Sequence, residues 1–147
     1  MTTSLTPPQQ KGRDGATLSR ASTARRALIV DDERIMLTIG GCMLESLGFQ
    51  VDTAGGGGDA LKCLDTCRYD LVMTDLVMEG MDGVELARRI RNLSKKTKIV
   101  MMTGSKPEQV RDKMALTKVD RWLFKPFGIS QLQELLGQMY PDDISDR

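Results

Sequence analysis

The sequence predicts an α/β fold built on a doubly wound parallel sheet, and three observations lead there. Short apolar runs, such as Ala27-Leu28-Ile29-Val30 and Ile99-Val100-Met101-Met102, alternate with longer helix-like stretches, the pattern of β/α units. The runs are continuous instead of alternating with polar residues, which suits strands covered on both faces. The chain has 147 residues, 40% hydrophobic and 28% charged, enough for one domain of ordinary size and too few for two sizeable cores.

Residues 1–26 are rich in Ser, Thr, Pro, Gly and Arg without apolar periodicity, and are expected to be a disordered basic tail. They carry five cations against one acid, +4, which leaves 27–147 at −3. A slightly acidic domain argues against direct DNA binding, since a duplex normally needs a clustered basic face. No run approaches the roughly 18 apolar residues of a membrane span, so membrane insertion is not expected. The three cysteines and the absence of a secretory signal suit a cytoplasmic location.

Strands are expected near 27–31, 49–54, 70–75, 98–103 and 119–124, and helices near 33–47, 57–67, 83–94, 106–116 and 130–139. Gly40-Gly41 weakens the first helix by roughly 1 kcal/mol per glycine relative to alanine, so packing must carry it. Gly55-Gly56-Gly57-Gly58 before the second helix lacks the Gly-Lys-Ser/Thr of a phosphate cradle and is expected to be a flexible loop. Cys63 and Cys67, one helical turn apart with no histidine in the chain, are expected to be half-buried thiols and not a zinc site. Ser105 with Glu108, and Ser130 with Gln133, have capping-box spacing and are expected to start the last two helices. Ile129, Leu132, Leu135, Leu136 and Met139 form a core-facing stripe in the final helix. A domain over 27–140 with a flexible tail over 141–147 is the resulting organisation.

Open sheets of this kind place ligands outside the carboxyl ends of their strands. Reading off those ends gives Asp31 and Asp32, Asp75, Thr103 and Lys125. Histidine is absent, so a His-based triad or a phosphohistidine on this chain is excluded. Three carboxylates held together repel one another unless a cation compensates them, and hard oxygen ligands suit Mg²⁺. A lysine and a hydroxyl at neighbouring strand ends can hold phosphoryl oxygens, and an Asp carboxylate can attack phosphorus to form an acyl phosphate. Asp75 is the best-placed nucleophile. Taken singly, each residue has a plainer reading: Asp31-Asp32 as acids favoured at a helix start, Asp75 as a turn acid, Lys125 as a solvated lysine.

The ordered set Asp31-Asp32, Asp75-Leu76-Val77-Met78-Glu79-Gly80-Met81-Asp82-Gly83, Thr103-Gly104 and Lys125-Pro126-Phe127 resembles a response-regulator receiver domain, the CheY-like class, over about residues 27–140. The resemblance implies a flavodoxin-like (βα)5 fold with strand order 2-1-3-4-5. It implies that Asp75 accepts a phosphoryl group from a sensor histidine kinase or histidine phosphotransfer protein. Asp31, Asp32, Asp75 and the backbone carbonyl of Val77 would bind Mg²⁺, Lys125 would pair with the phosphoryl group, and Thr103 and Trp122 would form the switch. The Lys125-Pro126 bond is expected to be cis.

The sequence departs from the family pattern at Glu79, where proline is usual, at Trp122 in place of Tyr or Phe, and at Lys118-Val119 in place of Gly and Ala. A single-domain response regulator is expected, a phosphoacceptor and not an enzyme on external substrates, whose output runs through a partner bound at helix 4, strand 5 and helix 5. Apolar Val77 cannot position water by hydrogen bonding, so slow self-dephosphorylation is expected. The competing readings are a phosphorylation-independent binding module and an aspartyl-phosphate phosphatase, the latter disfavoured because Leu76 and Val77 follow Asp75 where such enzymes place a second acid.

Overall fold

A computed structural model describes residues 24–141. Strands β1 (Arg26–Val30), β2 (Gln50–Ala54), β3 (Leu71–Asp75), β4 (Lys98–Thr103) and β5 (Arg121–Phe124) alternate with helices α1 (Arg34–Ser46), α2 (Gly57–Thr66), α3 (Gly83–Leu93), α4 (Arg111–Leu116) and α5 (Ile129–Met139). All five strands pair in parallel in the order β2-β1-β3-β4-β5, as the resemblance implied. Among the described residues no helix is long and apolar enough to cross a membrane.

Side chains alternate across each strand, so the continuous apolar runs feed two separate cores. Leu28, Val30, Val72, Ile99 and Met101 pack on one face with Ala60, Leu86, Ala87 and Ile90 of α2 and α3. Ala27, Ile29, Leu71, Met73, Val100 and Met102 pack on the other with Leu44, Leu132 and Leu136 of α1 and α5. The three inner strands are almost wholly buried, while β2 and β5 at the sheet edges expose part of their length.

The glycines of α1 are explained by that packing. Gly40 and Gly41 are buried, and a Cβ on Gly40 would overlap Cδ1 of Ile29 on β1. The residue that costs helix propensity therefore lets α1 lie against the sheet. Gly57 has a similar task. It is buried at the start of α2, where a Cβ would come within 2.9 Å of Met81 Cβ, so this part of the glycine run is a packing contact and not the flexible loop expected.

Several boundaries differ from the sequence expectation. Neither Ser105 nor Ser130 caps its helix. Gln109 Oε1 accepts from the amide of Lys106, and Gln131 Oε1 from the amide of Gly128, each at 2.8 Å. The segment expected as one helix over 106–116 is a 3₁₀ turn (Pro107–Gln109) followed by the six residues of α4. Ile129 is 41% exposed and leaves the apolar stripe, in which Leu132 and Leu136 are buried and Leu135 and Met139 partly so. The domain also starts earlier than 27: Arg26 opens β1, and the Arg25 guanidinium lies 4.2 Å from the centre of the Tyr140 ring. The remainder of the expected tails, residues 1–23 and 142–147, lies outside the described residues.

Candidate functional site

The strand order reverses between β1 and β3, since β2 is added on one side of β1 and β3 on the other. Asp31 follows β1 directly and Asp75 is the last residue of β3, so both stand at this switch point. Asp31 is buried and its Oδ1 accepts from the Glu33 amide at 2.9 Å. Asp75 is nearly buried and its Oδ1 accepts from the Leu76 amide at 3.0 Å. Asp32 is exposed, and its Oδ2 accepts from the Glu79 amide at 3.4 Å. One carboxylate oxygen from each of the three lies within 4.8 Å of the others.

Lys125, the first residue after β5, reaches across from the other half of the sheet. Its Nζ is 3.0 Å from Asp31 Oδ2 and 3.4 Å from Asp75 Oδ1. The Lys125–Pro126 peptide is cis, as expected, and the Lys125 amide donates to Thr103 O at 2.8 Å. Thr103 closes β4 and is buried, its Oγ1 accepting from the Ser105 amide at 3.0 Å. Trp122 on β5 is half-buried against the core shared with α3. Val77, two residues after Asp75, is 64% exposed in the loop beside the site.

Burial pushes the Asp75 carboxyl above its ordinary range; Lys125 opposes the shift and the neighbouring Asp31 adds to it. For Lys125, burial alone would lower the ammonium pKa. The hydrogen bond to Asp31 and the two carboxylate charges outweigh that, and the net shift is upward. One half-buried ammonium thus serves two carboxylates with a third beside them, and the rim remains short of positive charge. Three oxygen-donor acids with no thiol or imidazole in the cluster fit a hard divalent cation such as Mg²⁺.

Every residue singled out at the strand ends lies on this rim, and Asp31, Asp32, Asp75 and Lys125 come together there. Thr103 stands one strand further on, with its hydroxyl engaged by Ser105. Three contributors were given no role from sequence, although Asp82 and Gly83 stand in the motif quoted above. Gly83 donates its amide to Leu76 O at 2.8 Å, and a Cβ there would overlap the carbonyl oxygen of Asp75. Asp82 caps α3 by accepting from the Glu85 amide at 3.0 Å. Thr74, fully buried, donates its hydroxyl to Asp75 O at 3.0 Å. Gly83 and Asp82 were legible in principle, as an acid and a glycine at a helix start.

A rim of acids and one lysine at the switch point of a (βα)5 sheet defines a CheY-like receiver. The profile of the response regulator receiver domain matches residues 27–137, and the chain belongs to that family. The sensor histidine kinase RcsC of Salmonella typhi is 34% identical over 109 residues, which cover 74% of this chain and 12% of that protein. Among solved structures, the chemotaxis response regulator CheY4 of Vibrio cholerae aligns with a TM-score of 0.71 at 30% identity, over 79% of this chain and 98% of that one. The response regulator protein TrrA of Thermotoga maritima, solved in complex with Mg²⁺-BeF, aligns with a TM-score of 0.71 at 32% identity, over 78% and 98%.

Proposed function

We propose that this chain is a single-domain response regulator of a two-component or phosphorelay system, in which Asp75 accepts a phosphoryl group from a histidine kinase or phosphotransfer protein. The observation that carries the reading is Lys125 Nζ lying within reach of both Asp31 and Asp75 at the switch point. In the transfer, a carboxylate oxygen of Asp75 forms a bond to phosphorus as the N–P bond of the donor phosphohistidine breaks, and the electron pair leaves with the imidazole. Asp75 Oδ1 is occupied by the Leu76 amide and Lys125, which leaves Oδ2 for the attack. Lys125 then pairs with the phosphoryl oxygens. Asp31, Asp32 and Asp75, with the Val77 carbonyl, would hold Mg²⁺, whose contribution is to neutralise charge on the transferred group. The Mg²⁺-BeF complex of TrrA supports that assignment by similarity.

Conversion of Asp75 to its phosphorylated form draws the Thr103 hydroxyl from the Ser105 amide towards the phosphoryl group. Trp122 moves into the space vacated, and the face of α4, β5 and α5 changes its affinity for a downstream protein. The similarity to the chemotaxis response regulator CheY4 supports a role in signalling, for which we propose a protein partner and a cytoplasmic location. The protein assists its own phosphorylation and dephosphorylation and does not turn over external substrates.

The test is intact mass after incubation with a small phosphodonor, comparing wild type with Mg²⁺, wild type with chelator, and Asp75→Asn with Mg²⁺. Gain of one phosphoryl group in the first sample alone is expected. No gain in any sample would replace this reading with a phosphorylation-independent binding module.

A further inference from the structure

Each of the three rim carboxylates is held by one main-chain amide. For Asp31 and Asp75 the donor belongs to the same turn, Glu33 and Leu76 respectively. For Asp32 it does not: the Glu79 amide comes from the loop between β3 and α3, 47 residues along the chain, so this bond ties two loops together across the site. Asp32 is also the exposed member of the three. Among the described residues, the Glu79 amide is the one hydrogen-bond donor to its carboxylate. A side chain free to rotate in water must lose rotamer freedom to hold a cation, and an amide that fixes it beforehand removes part of that cost.

Residue 79 is where this chain departs from the proline usual in the family, and proline has no N–H to give. The departure therefore changes more than charge. The loop turns immediately afterwards at Gly80, whose φ of 79° lies in the left-handed region open to glycine. We propose that the Glu79 main-chain amide is a positioning group that orients Asp32 toward a divalent cation, and that this chain has it because residue 79 is not proline. The proposal rests on the Mg²⁺ reading above. It assigns the effect to the amide and not to the exposed Glu79 carboxylate.

Glu79→Pro and Glu79→Ala remove the same charge, but only the first removes the donor. Mg²⁺ titrated into the full chain by calorimetry at about 0.15 M salt, where exposed charges are well screened, separates the two effects. Glu79→Pro is expected to bind about tenfold more weakly than Glu79→Ala, the size of effect seen when an outer partner of a metal ligand is lost. Equal affinity of the two variants would overturn the proposal. Wild type and both variants failing alike to bind would instead overturn the Mg²⁺ reading, and this role with it. Melting in chelator checks that Glu79→Pro folds. If it does not, the Glu79 amide proton decides: in metal-free protein it should move upfield in Asp32→Ala, and an unmoved resonance would overturn the assignment.

Discussion

Helices α3 and α4 flank the same core and are seated very differently. The first is capped by Asp82, buries Gly83, Leu86, Ala87 and Ile90, and presses its first residue against the carbonyl of Asp75. The second is six residues long, has no side-chain cap and no buried residue of its own, and leaves Leu116 82% exposed. One helix fixes the main chain at Asp75; the other follows the strand that ends at Thr103. Chemistry at Asp75 needs a carboxylate held still, whereas a signal needs an element whose position costs little to change.

That contrast can be broken most severely at Gly83. Gly83→Ala forces a methyl group into the Asp75 carbonyl and Leu76 Cα, and a loss of about 3 kcal/mol in urea denaturation is expected, with reduced phosphoryl uptake. A loss under about 1 kcal/mol would show that the α3 seat is as yielding as that of α4.

Asp75→Asn is expected to act in the opposite direction, raising stability by about 1 kcal/mol at neutral pH in chelator. Burial and Asp31 raise the carboxyl above its unfolded value, so the stability tied to the neutral carboxyl is fully present below the unfolded value of 3.8 and is lost as pH rises through the folded one. The advantage of the asparagine variant should accordingly shrink as pH falls and vanish below about 3.8. A gap independent of pH would assign it to packing instead of charge. Smallest of all should be Leu116→Ser, within about 0.5 kcal/mol of wild type, accompanied by faster amide exchange throughout α4 than in α3. Strong protection of α4 amides would remove the contrast.

How much of this was legible in the sequence followed from how locally each feature is determined. The inner strands were plain because burial on both faces makes a run wholly apolar, and the rim acids because strand ends in this topology meet. Helix starts were not. The amides that glutamine side chains accept from belong to Lys106 and Gly128 and not to the expected serines, and the cap position depends on which residue the preceding strand and loop leave extended. Gly40, Gly57 and Gly83 were visible as glycines, but their reason is the atom opposite, Ile29, Met81 and Asp75, which only the assembled fold supplies. Arg25 and Arg26 read as tail because the partners that hold them, Tyr140, Asp52 and Asp70, come from distant positions. The amide of Glu79 was hidden for another reason: a residue type announces its side chain, whereas a main-chain donor is announced only by not being proline.

The clasp between Arg25 and Tyr140 fixes where the polypeptide enters and leaves. Tyr140 donates its hydroxyl to Asp70 O at 2.9 Å, just before β3 begins, so both ends of the folded unit lie side by side at the amino ends of the strands. Asp75 lies at the opposite pole, at the carboxyl ends of the strands, so the points where the chain enters and leaves the folded unit are set apart from it, which makes the unit readily portable between larger architectures.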